Sequence, residues 1–561
     1  MHPKQLINSL DRISWFFLVS IVGVLFGFLI YSNSFRGELV LDDANVVKPE
    51  IVSVLDKPIR NLFIGRPRIV ADISFALNYK YHQTDVFGYH VVNFFIHLAN
   101  SMLVFILALL LFRTPSLAKI KLRGYSRLIA ATAAGIFLAH PIQTMAVSYI
   151  TQRYASIATL FYLLVIISFL SARLIWNDYH QKAHINQTLL RLAILSLVFF
   201  SVVSFYLGLH SKVIIATLPL LLLIIEGILF PKPLLKWSLL LLPSVLGVLG
   251  VFVLGLRFYH LGFMFVTDEN SAGELISSAN YFPTQFRVFL MYIYKIVVPL
   301  QLNADYYFPA SKSWFEVGVI IGICVWLSFW GLIVYLRKRM PLISFGLGWF
   351  LVTPLITSSF IPILDVINEY RMYLPMVGVS LVFATLIWQF GPLLSKWGTA
   401  VFVVGLILLY GVLTFNRNYV YQTQLSFWGD VLKKSPQKAR GHVNYAVRLH
   451  TLGQVQPAID HYQKALEIDP ERLTALANLG VLYTQVGQFD KAMEYFETTL
   501  AIDPEYTDAL NGAGVVYLNR GELEKAQVQF SKVLEVSPEN RAANENLKLL
   551  GNKQKASNQE L

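Results

Sequence analysis

Two adjacent carboxylates, Asp42 and Asp43 in Glu38-Leu39-Val40-Leu41-Asp42-Asp43-Ala44-Asn45, follow the first long apolar run of the chain. Acids at a membrane boundary are costly unless solvated or paired, and they mark functional sites by default. A carboxylate within hydrogen-bond reach of a hydroxyl can take its proton as a general base. The dipeptide also fits a solvated loop with a helix-capping aspartate, and the two residues alone do not choose between these readings. Neighbouring side chains diverge in most loop conformations, so one of the pair is expected to face an acceptor. Asp42, nearer the exit segment 39–41, is the favoured base.

Other polar groups fall on the same expected side of the membrane. Arg66 and Arg68 lie in the first long loop with His82, and His90 closes it. His140-Pro141 and Arg153 bracket the next turn on that side, His210, Ser211 and Lys212 the one after, and Glu369 and Arg371 begin a later apolar span. Singly, each fits an interfacial anchor with its charge among the headgroups. Together they suit a reaction whose leaving group is a lipid-linked phosphate. The carboxylate activates the acceptor and the cations stabilise charge on the phosphate oxygens. His90, Asn93 and His97 share one helix face, where hydrogen bonding within the bundle is favoured over metal binding. No metal site is assigned. No Walker loop, dinucleotide fingerprint, HExxH or CxxC occurs, so no cofactor is called for; a divalent cation is left open.

The elements that must hold these residues are membrane helices. Hydrophobic residues make up 55% of the 561 and charged ones only 14%. A bilayer crossing needs about 20 apolar helical residues. Eleven such spans are expected, near 13–32, 88–112, 128–149, 154–174, 190–208, 213–230, 236–257, 315–336, 341–361, 371–390 and 397–415. The first has no cleavage site behind it and reads as an uncleaved anchor. The single cysteine, Cys324, allows no internal disulfide. Lys119, Lys121, Arg123 and Arg127, and then Arg337, Lys338 and Arg339, are placed in the cytoplasm by the positive-inside rule. The N-terminus is then inside, and the loop 33–87 and the tail from about 416 outside. This topology holds if 286–300 is a re-entrant or interfacial helix rather than a crossing.

The net charge of +12 does not point to nucleic acid. Residues 439–552 hold ten Lys and Arg against fifteen Asp and Glu, so the basic excess belongs to the membrane part, where it reports topology. In this tail Gly453, Gly487 and Gly521 recur every 34 residues, as do Ala458, Ala492 and Ala526, and Pro470, Pro504 and Pro538. That is the tetratricopeptide period. Small residues are expected to let paired helices approach, and each proline to end a second helix. The repeats run 439–472, 473–506 and 507–540, preceded by a linker helix 416–438, capped by a helix to 552 and followed by a disordered tail 553–561. The fold class is all-α, a polytopic helical bundle of about eleven spans (1–415) followed by an α-solenoid.

With these residues assembled, the chain resembles the transmembrane and tetratricopeptide-repeat O-mannosyltransferases, polyprenyl-phosphate-dependent enzymes of the GT-C fold. The matching pieces are Asp42-Asp43, Arg66-Pro67-Arg68, Ser74-Phe75-Ala76-Leu77-Asn78-Tyr79, Phe87-Gly88-Tyr89-His90-Val91-Val92-Asn93 with His97, and His140-Pro141-Ile142-Gln143-Thr144. Ser211-Lys212 and Glu369-Tyr370-Arg371-Met372-Tyr373-Leu374-Pro375 complete them. They span nearly the whole chain. The family's Ser-Lys-Glu is Ser211-Lys212-Val213 here, and Tyr370 interrupts its acidic-basic pair. The resemblance implies inverting transfer of a mannose-like sugar from a polyprenyl-phosphate donor to a hydroxyl, Ser or Thr of an exported protein. Asp42 or Asp43 would be the base, and Arg66, Arg68, His90, His140, Arg153, Lys212, Glu369 and Arg371 would bind the donor. The implied partners are the lipid-linked sugar, membrane lipid and an acceptor protein held by the repeats. Three repeats, few beside the animal members, favour a bacterial inner-membrane protein with periplasmic repeats; a eukaryotic one would sit in the ER membrane with lumenal repeats. Two other classes compete. A non-catalytic scaffold recruiting envelope proteins would need no polar cluster drawn from separate loops. A transporter of lipid-linked sugars would show an internal duplication, and none is seen.

Overall fold

The computed structural model describes residues 3–58, 62–63, 66–179, 187–231, 265–268, 274–359, 361–363, 365–393 and 395–560. It divides into two units, one of Met1–Val266, Ile276–Ala304 and Ala310–Phe427, the other of Thr267–Leu275, Asp305–Pro309 and Trp428–Leu561. Apart from a ribbon of two four-residue strands, Phe265–Asp268 and Glu274–Ser277, the regular elements described are helical.

Among the described residues of the first unit seven helices are long and apolar enough to cross a bilayer: Phe17–Ser34, Val86–Leu111, Ile150–Asn177, Gln187–Leu209, Val317–Leu336, Pro375–Leu393 and Lys396–Tyr421. Lys121–Ala139 and Pro141–Ser148 form an eighth if one span is allowed a 50° bend. Pro141 supplies the break, since it has no N–H to continue the helix. The count of eleven is not confirmed among the described residues. The stretches 213–230 and 341–361 yield apolar helical segments of only Val213–Leu229 and Pro341–Val352, and 236–257 lies outside the described residues. The segment 286–300 falls in an amphipathic helix, Ser278–Val297, that does not join the apolar set.

Between the first two long helices the chain makes short 3₁₀ turns at Leu41–Asn45 and Pro49–Val54, then a helix Ile69–His82. Val46 and Val47 pack in one buried cluster with Ala71, Phe75, Tyr89, Ile150, Tyr154 and Ile157. This cluster fixes the acidic turn against the helices Val86–Leu111 and Arg153–Tyr179. The linker expected at 416–438 is divided. Lys396–Asn418 is one helix, Gln424–Lys434 another, and the unit boundary falls at Phe427.

In the second unit six helices form three successive pairs, from Ala439–Thr451 and Val455–Ile468 to Thr507–Asn519 and Leu523–Val536, with a further helix after them. Ala458, Ala492 and Ala526 are fully buried, as close helix pairing requires. Gly453, Gly487 and Gly521 act differently from expectation. Each has φ between +74° and +80°, and a Cβ there would meet open space, so they provide a left-handed helix ending rather than a close approach. Close approach falls to Gly480, Gly512 and Gly514, where a Cβ would lie 2.2–2.5 Å from Phe496 or Phe530. The capping helix Arg541–Glu560 runs on through 553–560, where a disordered tail is expected from composition.

Candidate active site

Asp42 and Asp43 diverge as adjacent residues should. Leu41 has φ +48°, an uncommon backbone for a residue with a Cβ, and after this kink the first acid faces outward and the next inward. Asp43 is fully buried. Its Oδ1 accepts from Thr151 N at 2.7 Å and Thr151 Oγ1 at 2.8 Å, and its Oδ2 from Val40 N at 3.1 Å. Asp43 is thus the capping aspartate of its turn, and burial pushes its pKa up to about 7 against those three donors. Asp42 keeps an exposed side chain, and its backbone N–H donates to the Tyr149 hydroxyl at 3.2 Å.

Tyr149 connects this turn to the cations. Burial first, then the Asp43 and Asp42 charges, hold its hydroxyl well above the ordinary range, and Tyr370 adds a weaker effect of the same sign. The Tyr370 ring carries Lys212 Nζ 4.4 Å from its centroid. Lys212 also donates to Gln152 Oε1 at a long 3.4 Å. Burial, then the positive charges of Arg68 and Arg371, lower its pKa to about 7. Arg68 and Arg371 therefore each lie close enough to Lys212 to disfavour its charge. Arg371 donates to Val366 O at 3.0 Å and to Asp365 O. A cavity of about 20 Å³ opens among Lys212, Tyr370, Arg371, Tyr373, Thr159 and Thr357, room for about one water. Arg68 sits 5.1 Å from the Tyr154 ring centroid, and Tyr154 donates to Asp72 Oδ1 at 2.6 Å. Burial raises the Asp72 pKa, against that hydrogen bond and the charges of Arg66 and Arg68. A cluster of cations lowers the energy of an anion that enters it.

The remaining expected donor residues lie elsewhere in the bundle. Arg153 is fully buried and donates to Asn93 Oδ1 at 2.6 Å, Asn78 Oδ1 at 2.5 Å, Tyr89 O at 2.9 Å and Ser74 O at 3.2 Å, with Phe75 stacked at 4.4 Å. His90 Nε2 meets Gly37 O at 3.2 Å, a close approach that needs glycine, since a Cβ there would lie 2.6 Å from Tyr421 O. His97 Nδ1 meets the Tyr373 hydroxyl at 2.7 Å, and His140 Nε2 meets Ile296 O at 3.0 Å. Glu369 accepts from Asn303 N at 2.6 Å and pairs with Arg417 at 3.8 Å. The geometry thus puts Lys212 near Arg68 and Arg371, with Arg66 and Arg68 near Asp72, and it ties Asp42 to Tyr149 through its backbone N–H. It places His90, His140, Arg153 and Glu369 in buried hydrogen-bond networks. Among the described residues no three His, Cys, Asp or Glu gather in a group fit for a metal ion. The sequence reading misses Tyr149, Thr151 and Gln152. Their one signal is an uncharged polar run, Thr151-Gln152, directly before the buried Arg153.

Fold and site together define a multi-pass membrane protein with a tetratricopeptide-repeat tail. The tetratricopeptide-repeat family matches residues 448–487 and 485–548. The chain is similar to named protein O-mannosyl-transferases. One from Caenorhabditis elegans is 25% identical over 463 residues, covering 78% of this chain and 61% of that protein. The human protein O-mannosyl-transferase TMTC1 is 29% identical over 124 residues, 21% of this chain and 14% of that protein. The chain thus spans about three-fifths of the first relative's length and a seventh of the second's. Among solved structures, the Sgt2 tetratricopeptide domain from Aspergillus fumigatus matches with 24% identity and TM-score 0.21, covering 22% of this chain and 82% of that one. YrrB, another tetratricopeptide protein, matches with 18% identity and TM-score 0.21, covering 39% and 98%.

Proposed function

We propose that the chain is a glycosyltransferase that moves a mannose-like sugar from a polyprenyl-phosphate donor to a hydroxyl, Ser or Thr of an exported protein, with inversion, at the external membrane face. The observation that carries this is the pairing of one exposed carboxylate, Asp42, with a cluster of cations, Arg68, Lys212 and Arg371, through Tyr149 and Tyr370. The similarity to protein O-mannosyl-transferases over most of the chain supports the same class.

In this reading Asp42 takes the acceptor hydroxyl proton as the oxygen attacks the anomeric carbon. The bond from that carbon to the phosphate oxygen breaks, and polyprenyl phosphate leaves with the electron pair. Lys212 and Arg371 stabilise the charge it carries away. The repeats hold the acceptor segment, so that the hydroxyl arrives oriented. The membrane is a bacterial inner membrane with the repeats in the periplasm.

Mass spectrometry of envelope glycoproteins from a strain lacking the gene, compared with its parent, tests the reading. Loss of hexose from Ser and Thr of exported proteins, restored by the wild-type gene and not by Asp42→Asn, is the expected result. An unchanged set of glycoproteins overturns it and favours the scaffold.

A further inference from the structure

Five consecutive residues, Tyr149 to Arg153, are buried, and four of them carry polar side chains. Burying polar groups is costly unless each finds a partner. Here each has one. The Tyr149 hydroxyl accepts from Asp42 N, Thr151 gives both its donors to Asp43, Gln152 accepts from Lys212, and Arg153 binds the helices Ile69–His82 and Val86–Leu111. The turn is itself pinned, because Asn93 Nδ2 donates to both Val147 O and Ile150 O at 3.2 Å while its Oδ1 accepts from Arg153. Pro141 has already bent the preceding helix, and Ile150–Gln152 forms a 3₁₀ turn before the next. In so tight a turn successive side chains point in different directions.

We infer that the turn Tyr149–Gln152 is the positioning element of the site: Thr151 sets the aim of the acid pair, and Gln152 sets the place of Lys212. This rests on the transferase reading, in which Asp42 is the base and Lys212 faces the donor phosphate. Thr151 touches neither acceptor nor donor. It holds Asp43, and Asp43 fixes the turn from which Asp42 projects. A small misplacement of a reacting group costs up to about a hundredfold in rate. Gln152 Oε1 accepts from Lys212 Nζ, so losing that oxygen frees the ammonium to wander over the Tyr370 ring. The two residues therefore act on different kinetic constants.

The test uses the full chain in membranes of an expressing host, which supply acceptors, with radiolabelled polyprenyl-phosphate mannose as donor. Thr151→Val is expected to lower kcat by about tenfold to a hundredfold with donor KM unchanged, and Thr151→Ser to restore it. Gln152→Met is expected to raise donor KM severalfold with kcat unchanged. Thr151→Ala, which keeps the backbone donor to Asp43, reports the same loss should the valine variant fail to fold. Parallel changes in both constants, no rescue by serine, or normal kinetics in all variants overturn the inference. Asp42→Asn separates the two claims. If it retains full transfer, the transferase reading fails. If it is inactive while Thr151→Val is normal, only the positioning role fails.

Discussion

Two cationic centres in the membrane unit differ in what surrounds them. Arg153 is enclosed by neutral oxygens at 2.5–3.2 Å and an aromatic face, and its planar fork is nearly saturated. Lys212 has one long hydrogen bond and a tyrosine ring, with two more cations near enough to repel it. A cation whose donors are already engaged by the protein organises structure. A group of cations that repel one another is stabilised by an anion from outside. Sequence alone could not tell these apart, because both read as a basic residue at a helix end.

Removing each centre should break different things. The largest effect is expected from Arg153→Leu, which takes the donor from two buried amide oxygens, Asn93 Oδ1 and Asn78 Oδ1, at about 1–3 kcal/mol each. A thermal melt in detergent should show a large drop in Tm or no folded protein. Arg153→Lys should recover little, since one ammonium cannot reproduce the fork. A melt matching wild type would remove Arg153 from the structural side of the comparison.

Lys212→Met should leave the melt nearly unchanged and raise donor KM by about tenfold, the effect of one charge-assisted contact. The pH dependence has a definite sign. With a pKa lowered to about 7, free Lys212 is charged below that pH and neutral above it. Donor affinity should fall as pH rises through about 7 in the wild type and stay flatter in Lys212→Met. An identical pH profile in both would mean that Lys212 does not face the donor. The smallest effect is expected at Tyr370. Leucine there removes a cation–π contact worth about 0.5–2 kcal/mol, so donor KM should rise a few-fold, whereas Tyr370→Phe keeps the ring at Lys212 and loses only the hydroxyl that meets Arg371, so its rise should be smaller.

Legibility in the sequence followed repetition. The tail announces itself because Ala458, Ala492 and Ala526 occupy equivalent buried positions, and Gly453, Gly487 and Gly521 equivalent left-handed ones, in each repeat. The bundle offers no such period. Hydropathy locates its long helices, but apolar runs such as 213–230 and 341–361 give shorter helices than a crossing of about 20 residues. The acids and cations were visible as types. Which of them share a site depends on Tyr149, Thr151 and Gln152, whose uncharged side chains carry no signal until the turn that holds them is seen. Likewise, nothing in the pair Asp42-Asp43 says which acid is inward; the left-handed backbone at Leu41 and the three donors to Asp43 decide it.

The central claim is that the outward acid does the chemistry and the inward one holds the turn. It is tested most directly by kcat for mannose transfer from polyprenyl-phosphate mannose in wild type, Asp42→Asn and Asp43→Asn, each with its melt. The account predicts that Asp42→Asn loses about 10²–10⁴-fold in kcat with donor KM and Tm unchanged. It predicts that Asp43→Asn loses Tm first, because its amide sets donor against donor at Val40 or Thr151. Full transfer by a folded Asp42→Asn protein would contradict it.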